Sequence, residues 1–372
     1  MSARLRRIGR YALWAGAMLV VVVFAASMIS VPYYAITPGV ARNVSSLISI
    51  PKSDAHHHVG GVLLTDVDLV SLRAIQFPFF WLNRDNEIVA RADVVGSASA
   101  SQYEEQGVLD MATAREAATV VAFRTAGYHV SAVPNGVADY QPLPGSPGAR
   151  LLSVGDVITS VDAIPTLSVD ALRYAVAERS PGQTVRLVVH FFGSTKSRSV
   201  ELRLGELRGK TTSAQNGGCD SFSARMPGVA LLKSGQPVPC IGLYLDQLYK
   251  TSGLPFPVDL NSEGIIGPSA GLAFTLGLLE KLDPLDLAGG HVVAATGTMS
   301  ITGQVGDVGG VAQKTVAVKD AGVTLFLVPP QELEVAEARA GSRLKVVAVS
   351  TIAQAITALR HIGGRIAGPV AS

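Results

Sequence analysis

The chain has 372 residues, 48% of them hydrophobic and 16% charged, with a formal net charge of +2. So balanced a charge, with no long basic run beyond the first ten positions, offers no footprint for nucleic acid and none for an acidic substrate. Beyond its N-terminal apolar run the chain is long enough for two or three domains of about 100 to 200 residues each.

Arg4, Arg6, Arg7 and Arg10 precede an uncharged, mostly apolar run from Tyr11 to Tyr34. A helix of roughly 20 residues rising about 1.5 Å per residue spans a hydrocarbon core of about 30 Å, and flanking arginines stay on the cytoplasmic side. The expectation is a cytoplasmic tail over 1–10, a single-pass transmembrane anchor over 11–34, and an extracytoplasmic body at the cell membrane. The small residues Ala25-Ala26-Ser27 leave a cleaved signal peptide as the alternative, although signal cores run only about 7 to 15 residues.

A small mixed α/β region follows over 35–126. Ile36-Thr37-Pro38-Gly39 marks a turn, Val62 to Val67 reads as a strand, and Ser101 to Thr125 reads as one helix. In that helix Val108, Met111, Ala112 and Arg115 recur at three- and four-residue spacing, and Ala117, Ala118, Val121 and Ala122 extend the apolar face. His56, His57 and His58 stand in a row. Adjacent side chains cannot converge on one ion without a loop built around them, so no metal site is assigned.

Over 127–206 the character changes. Pro144-Gly145-Ser146-Pro147-Gly148-Ala149 leads into Leu152-x-x-Gly155-Asp156-Val157-Ile158 and Val161-Asp162. Ser168 is placed to cap a helix reaching Ala177, with Val169, Leu172 and Val176 on one face, and Pro181-Gly182 turns into a strand over Thr184 to Phe192. This order of elements resembles a PDZ domain. The resemblance implies a sheet edge beside the helix to which an extended peptide can add through backbone hydrogen bonds.

The last stretch, 207–365, alternates strands with helices, an α+β pattern. Strands are expected over Cys240–Leu245, His291–Thr296, Leu325–Val328 and Leu344–Val349. Helices are expected over Ala270–Leu282, Val311–Ala321, Gln331–Arg339 and Ile352–His361. Cys219 and Cys240, on the side taken as extracytoplasmic, can close a disulfide or remain two buried thiols. Gly205-Glu206-Leu207-Arg208-Gly209-Lys210-Thr211 puts three residues between glycines where a P-loop needs four, and Gly303, Gly306 and Gly309 fail the dinucleotide spacing. No cofactor is implied.

Gly267-Pro268-Ser269-Ala270-Gly271 carries the clearest chemistry. Pro268 biases Gly267 toward an extended conformation, Ala270 and Gly271 leave room for a substrate backbone, and Leu272, Leu276 and Leu279 predict a helix starting at the serine. The free N–H groups of such a start suit an oxyanion, though a serine there also serves as a plain N-cap. The candidate base is Lys314 in Gly309-Gly310-Val311-Ala312-Gln313-Lys314, beside Val311 and Val318 on an apolar helix flank. Burial and the positive helix end both disfavour its ammonium form, and lowering a lysine from about 10.4 to about 7 takes roughly 4 to 5 kcal/mol. A lysine snorkelling to water is the alternative.

Together the two segments resemble the proteolytic domain of the Lon proteases, which use a serine and lysine dyad. Pro268 to Gly271 match the block carrying the nucleophile, Gly309-Gly310 and Lys314 the block carrying the base, and Thr296-Gly297 with Ile301-Thr302-Gly303 the turn and strand between. The resemblance makes Ser269 and Lys314 catalytic, with Thr296 orienting the amine and Gly267, Ala270, Gly271 and Gly310 supporting. Lon proteins often carry an acidic residue just before Gly-Pro-Ser, where this chain has Ile266. The whole arrangement is similar to membrane-anchored PDZ-containing Lon-like proteases of bacteria. That implies an ATP-independent serine endopeptidase acting on unfolded or exposed polypeptide, with the PDZ module admitting or selecting substrate. Rings of Lon-like domains make a homo-oligomer an expectation of the same resemblance. The alternative is a non-catalytic PDZ scaffold whose Lon-like domain serves assembly.

Overall fold

The computed structural model describes residues 3–53, 55–96, 98–207 and 238–367. Its larger domain is built on a six-stranded sheet ordered Lys345–Ala348, Leu325–Val328, Val292–Ala295, Gly61–Arg73, Ser30–Asn43, Glu87–Ala90. The first four strands run parallel, and the last two join antiparallel. Parallel strands are covered on both faces, and their side chains show it by alternating between two cores. Leu64, Val293, Ala295, Leu325 and Leu327 enter one core with the helices Ala100–Thr125, Gly271–Leu282 and Ile352–Arg360. Leu63, Ala294, Phe326 and Val328 enter the other with Val311–Asp320 and Leu333–Ala340. The result is a mixed α+β domain of three layers.

Local signals set most helix ends. Ala100–Thr125 starts in a capping box, where the Ser99 hydroxyl accepts from Gln102 N–H and the Gln102 side chain accepts from Ser99 N–H; such a box satisfies two otherwise orphaned donors. Ser168 caps Val169–Ala177 in the expected way, accepting from Ala171 N–H at 3.1 Å.

The second domain is a sheet ordered Leu243–Ser252, Ser131–Pro142, Asp156–Val161, Thr184–Phe191, Ser197–Arg203, antiparallel throughout. The helix Val169–Ala177 packs Leu172 and Val176 onto Ile158, Leu187 and Leu202 of this sheet. Its outermost strand arrives from an unexpected place. Cys240–Leu245, expected as one strand of the C-terminal domain, is divided: Cys240 ends a strand paired with Gly205–Leu207, and Leu243 opens one that pairs along Ser131–Pro142 from Leu243↔Pro142 to Ser252↔Ser131. The two ends of the module therefore meet, and the described residues 131–207 and 238–252 form an insertion in the larger domain. Strand Gly61–Arg73 of the larger domain pairs with Val292–Ala295 across the insertion. Cys240 is disulfide-bonded; Cys219 lies outside the described residues, as do Arg208 to Thr211 of the near-miss phosphate loop.

The expected membrane anchor, and with it the single-pass location and orientation, is corrected. Among the described residues no helix is long and apolar enough to cross a membrane. The backbone is helical over Ala3–Met28.

Candidate active site

The parallel strand Val292–Ala295 ends between two helices packed on opposite faces of the sheet, Gly271–Leu282 and Val311–Asp320. In sheets of this kind, ligands bind in the crevice beyond the carboxyl ends of the strands. Thr296 follows directly on the strand, with its N–H fixed to Leu327 C=O at 3.0 Å. From there Thr296 reaches both helices.

A short 3-10 turn, Pro268–Ala270, precedes Gly271–Leu282. Ser269 is half-buried on it. Its carbonyl accepts two bonds, from Gly297 N–H at 3.0 Å and from the Thr296 hydroxyl at 3.3 Å, and Leu272 N–H returns to Gly297 C=O at 3.0 Å. The serine turn is thus stitched to the end of the strand. Ala270 is buried beneath it. At Gly271 a side chain has no room, since a Cβ would lie 2.7 Å from Met299 N.

Lys314 enters from the opposite face. Gly310 caps its helix in the left-handed region at φ 68°, where a Cβ would also meet Val67 Cγ1 at 2.9 Å. Glycine alone adopts that conformation readily. The lysine is only 2% exposed, and its Nζ donates to Thr296 Oγ1 at 3.3 Å. Thr296 therefore accepts from the lysine and donates to the backbone of the serine, which brings all three residues to one place.

Burial lowers the Lys314 amine from its usual range to about 8, against the pull of the carboxylates of Asp66 and Glu332, which favour the charged form. That is less than the descent to about 7 taken from sequence, and those two acids account for the direction of the difference. Glu332 is itself pushed up, first by its own burial and then by Asp307, while Lys314 pulls it down. Asp66 accepts from Val40 N–H at 2.7 Å and lies 3.5 Å from Arg42 Nη2. Neither acid carries a signal in the local sequence, because one sits mid-strand and the other before a helix, and only the sheet order brings them to the lysine.

Other expectations fall elsewhere. His291, expected to open a strand, is exposed just ahead of Val292–Ala295. His58 Nε2 lies 3.0 Å from Asp283 C=O. Glu263 approaches Arg42 at 3.7 Å. Ile266, where an acid was the expected neighbour of the serine turn, packs against Gly107 of the helix Ala100–Thr125.

Residues 263–360 match the family of the Lon protease (S16) C-terminal proteolytic domain, a stretch that contains Ser269, Thr296 and Lys314. Among solved structures, the chain is similar to the crystal structure of the PDZ domain of an SdrC-like protein from Listeria monocytogenes. The identity is 18% over 30% of this chain and 88% of that one, with a TM-score of 0.20. A score that low does not define a fold, and the inserted module stands described by its own strand order.

Proposed function

We propose that the protein is an ATP-independent serine endopeptidase in which Ser269 is the nucleophile and Lys314 its general base. The observation that carries this reading is the buried lysine joined through Thr296 to the serine turn, inside the stretch that matches the Lon proteolytic family. Neutral Lys314 takes the Ser269 Oγ proton as the oxygen attacks the scissile carbonyl carbon, and the carbonyl π electrons move to the oxygen. Gly271 N–H is held by Pro268 C=O and Leu272 N–H by Gly297 C=O, so the developing oxyanion falls to the N–H groups of Ser269 and Ala270 within the turn. Collapse of the tetrahedral intermediate breaks the C–N bond, and the Lys314 ammonium protonates the departing amine. Water then hydrolyses the acyl-enzyme by the same route. Thr296, accepting from Nζ, keeps the amine directed at the serine.

ATP independence is supported by the failed phosphate-loop spacing at Gly205 to Thr211. The disulfide at Cys240 fits an oxidising compartment. Substrate enters as extended polypeptide, and the inserted module helps select it. Among the described residues, Leu243–Ser252 is paired on one side only. Its Gln247 accepts from Val169 N–H at 2.9 Å, at the start of the helix Val169–Ala177. An edge strand beside a helix suits peptide addition.

The test compares wild type, Ser269→Ala and Lys314→Ala on a fluorescently labelled unfolded polypeptide without ATP. Cleavage by wild type alone supports the reading. Equal cleavage by all three, or none by any across substrates and pH, would leave the non-catalytic scaffold in its place.

A further inference from the structure

The helix Ala100–Thr125 lies outside the stretch that matches the Lon family, yet it holds the nucleophile turn. Gly267, two residues before Ser269, donates its N–H to the carbonyl of Gly107 at 2.7 Å. Gly107 is buried in the interior of the helix, and a backbone carbonyl with two lone pairs can take this second donor beside its own helical one. The contact depends on a missing side chain. A Cβ on Gly107 would lie 2.9 Å from Ile266 Cδ1, 3.0 Å from its Cβ and 3.1 Å from its Cγ1. Because one of those atoms is the Cβ of Ile266, fixed to the loop backbone, no rotamer change relieves the whole overlap.

A glycine in a helix interior ordinarily weakens the helix relative to alanine. Here it permits close approach of a second backbone. The helix is itself held firmly where this happens. The neighbouring Gln106 donates through Nε2 to Tyr140 C=O of the inserted module at 2.9 Å, and one turn further on Tyr140 donates to Asp110 at 3.2 Å. Further along, Glu116 accepts from both the N–H and the hydroxyl of Thr251.

Given the hydrolase reading of this site, on which it rests, we infer that Gly107 is a positioning residue for Ser269. Its carbonyl and its open face set the height of the serine turn above the end of Val292–Ala295. Displacing reacting groups by about 1 Å can lower a rate on the order of 100-fold, so a small shift of Gly267 reaches the chemistry without touching it.

The experiment is a double-mutant cycle on the full chain, with Gly107→Ala, Ile266→Gly and the two combined. It is read by the rate at which a fluorophosphonate labels Ser269, by kcat against KM, and by hydrogen exchange of the segment 265–272. Gly107→Ala is expected to slow labelling and kcat about tenfold or more, leave KM within about twofold, keep the thermal midpoint and speed exchange of the segment. In the Ile266→Gly background, where the three crowded atoms are gone, Gly107→Ala should add little further effect. An equal effect in both backgrounds, or none in the Ile266 background, would overturn the positioning role. Hydrogen exchange reads the contact whether or not the enzyme turns over. A wild type that is never labelled while exchange still responds would therefore refute the hydrolase reading and spare the contact.

Discussion

Lys314 in the three-layer domain and Asp139 in the inserted module are 2% and 0% exposed, and burial drives both toward neutrality. The amine falls to about 8, and the carboxyl rises to about 8, with nearby Asp156 adding to the effect of burial. Their surroundings separate them. Lys314 donates to Thr296, which donates to the backbone of Ser269, whereas both carboxyl oxygens of Asp139 are buried without a hydrogen-bond partner. Desolvation alone therefore does not mark a functional group in this molecule. What separates the pair is a hydrogen-bonded route: only the lysine is joined, through Thr296, to the backbone of the serine turn.

The largest expected effect tests that route. Ser269→Ala and Lys314→Ala should each lower kcat by about 10⁴-fold or more, and the double variant should lose little beyond either one, since residues that act as a unit are far from additive. Stopped assays with an active-site titration would show it. Additive losses would mean that the two side chains do not act together.

Asp139 should matter to stability and not to turnover. Its folded-state pKa is raised, so its contribution is fully present below the unfolded value near 4 and is lost as pH rises toward about 8. Unfolding free energy should fall by about 1.4 kcal/mol per pH unit across that window from this group alone. Urea unfolding at pH 5, 6.5 and 8 should show that slope in wild type and a shallower one in Asp139→Asn. Identical slopes would mean that the carboxyl finds a partner in solution, and the contrast with Lys314 would then disappear.

The smallest effect belongs to Thr296. Thr296→Val keeps the shape and deletes both bonds. It should reduce kcat by about tenfold while leaving KM and the thermal midpoint close to wild type, as loss of an orienting partner does elsewhere, and Thr296→Ser should recover most of the loss. A fall in stability with unchanged kcat would assign Thr296 to the fold alone.

What the sequence could and could not reveal divides along the same line. The helices that carry the two candidates, Ser269 and Lys314, were legible because each rests on local grammar, a Gly-Pro-Ser-Ala-Gly start and a Gly-Gly start before an apolar flank, and they lie within a few residues of expectation. The origin of the module's outer strand was not legible, since Leu243–Ser252 carries no mark of its partner more than a hundred residues earlier. Nor was the pairing of Gly61–Arg73 with Val292–Ala295, because strand order is a property of the whole chain. Gly107 reads in sequence as a flaw in a good helix, and only the approach of Ile266 and Gly267 gives it a purpose. The N-terminal apolar run gave the wrong expectation, since among the described residues no helix is long and apolar enough to cross a membrane.

The central claim is that neutral Lys314 activates Ser269, and the pH dependence of covalent labelling at Ser269 tests it without any choice of substrate. A fluorophosphonate should label wild type at a rate that rises with pH through a midpoint near 8 and then levels off, because the amine must lose its proton to act as base. In Lys314→Ala the labelling should be slow and show no such midpoint. A wild-type rate that is flat between pH 6 and 10, or a Lys314→Ala profile that superimposes on it, would contradict the account.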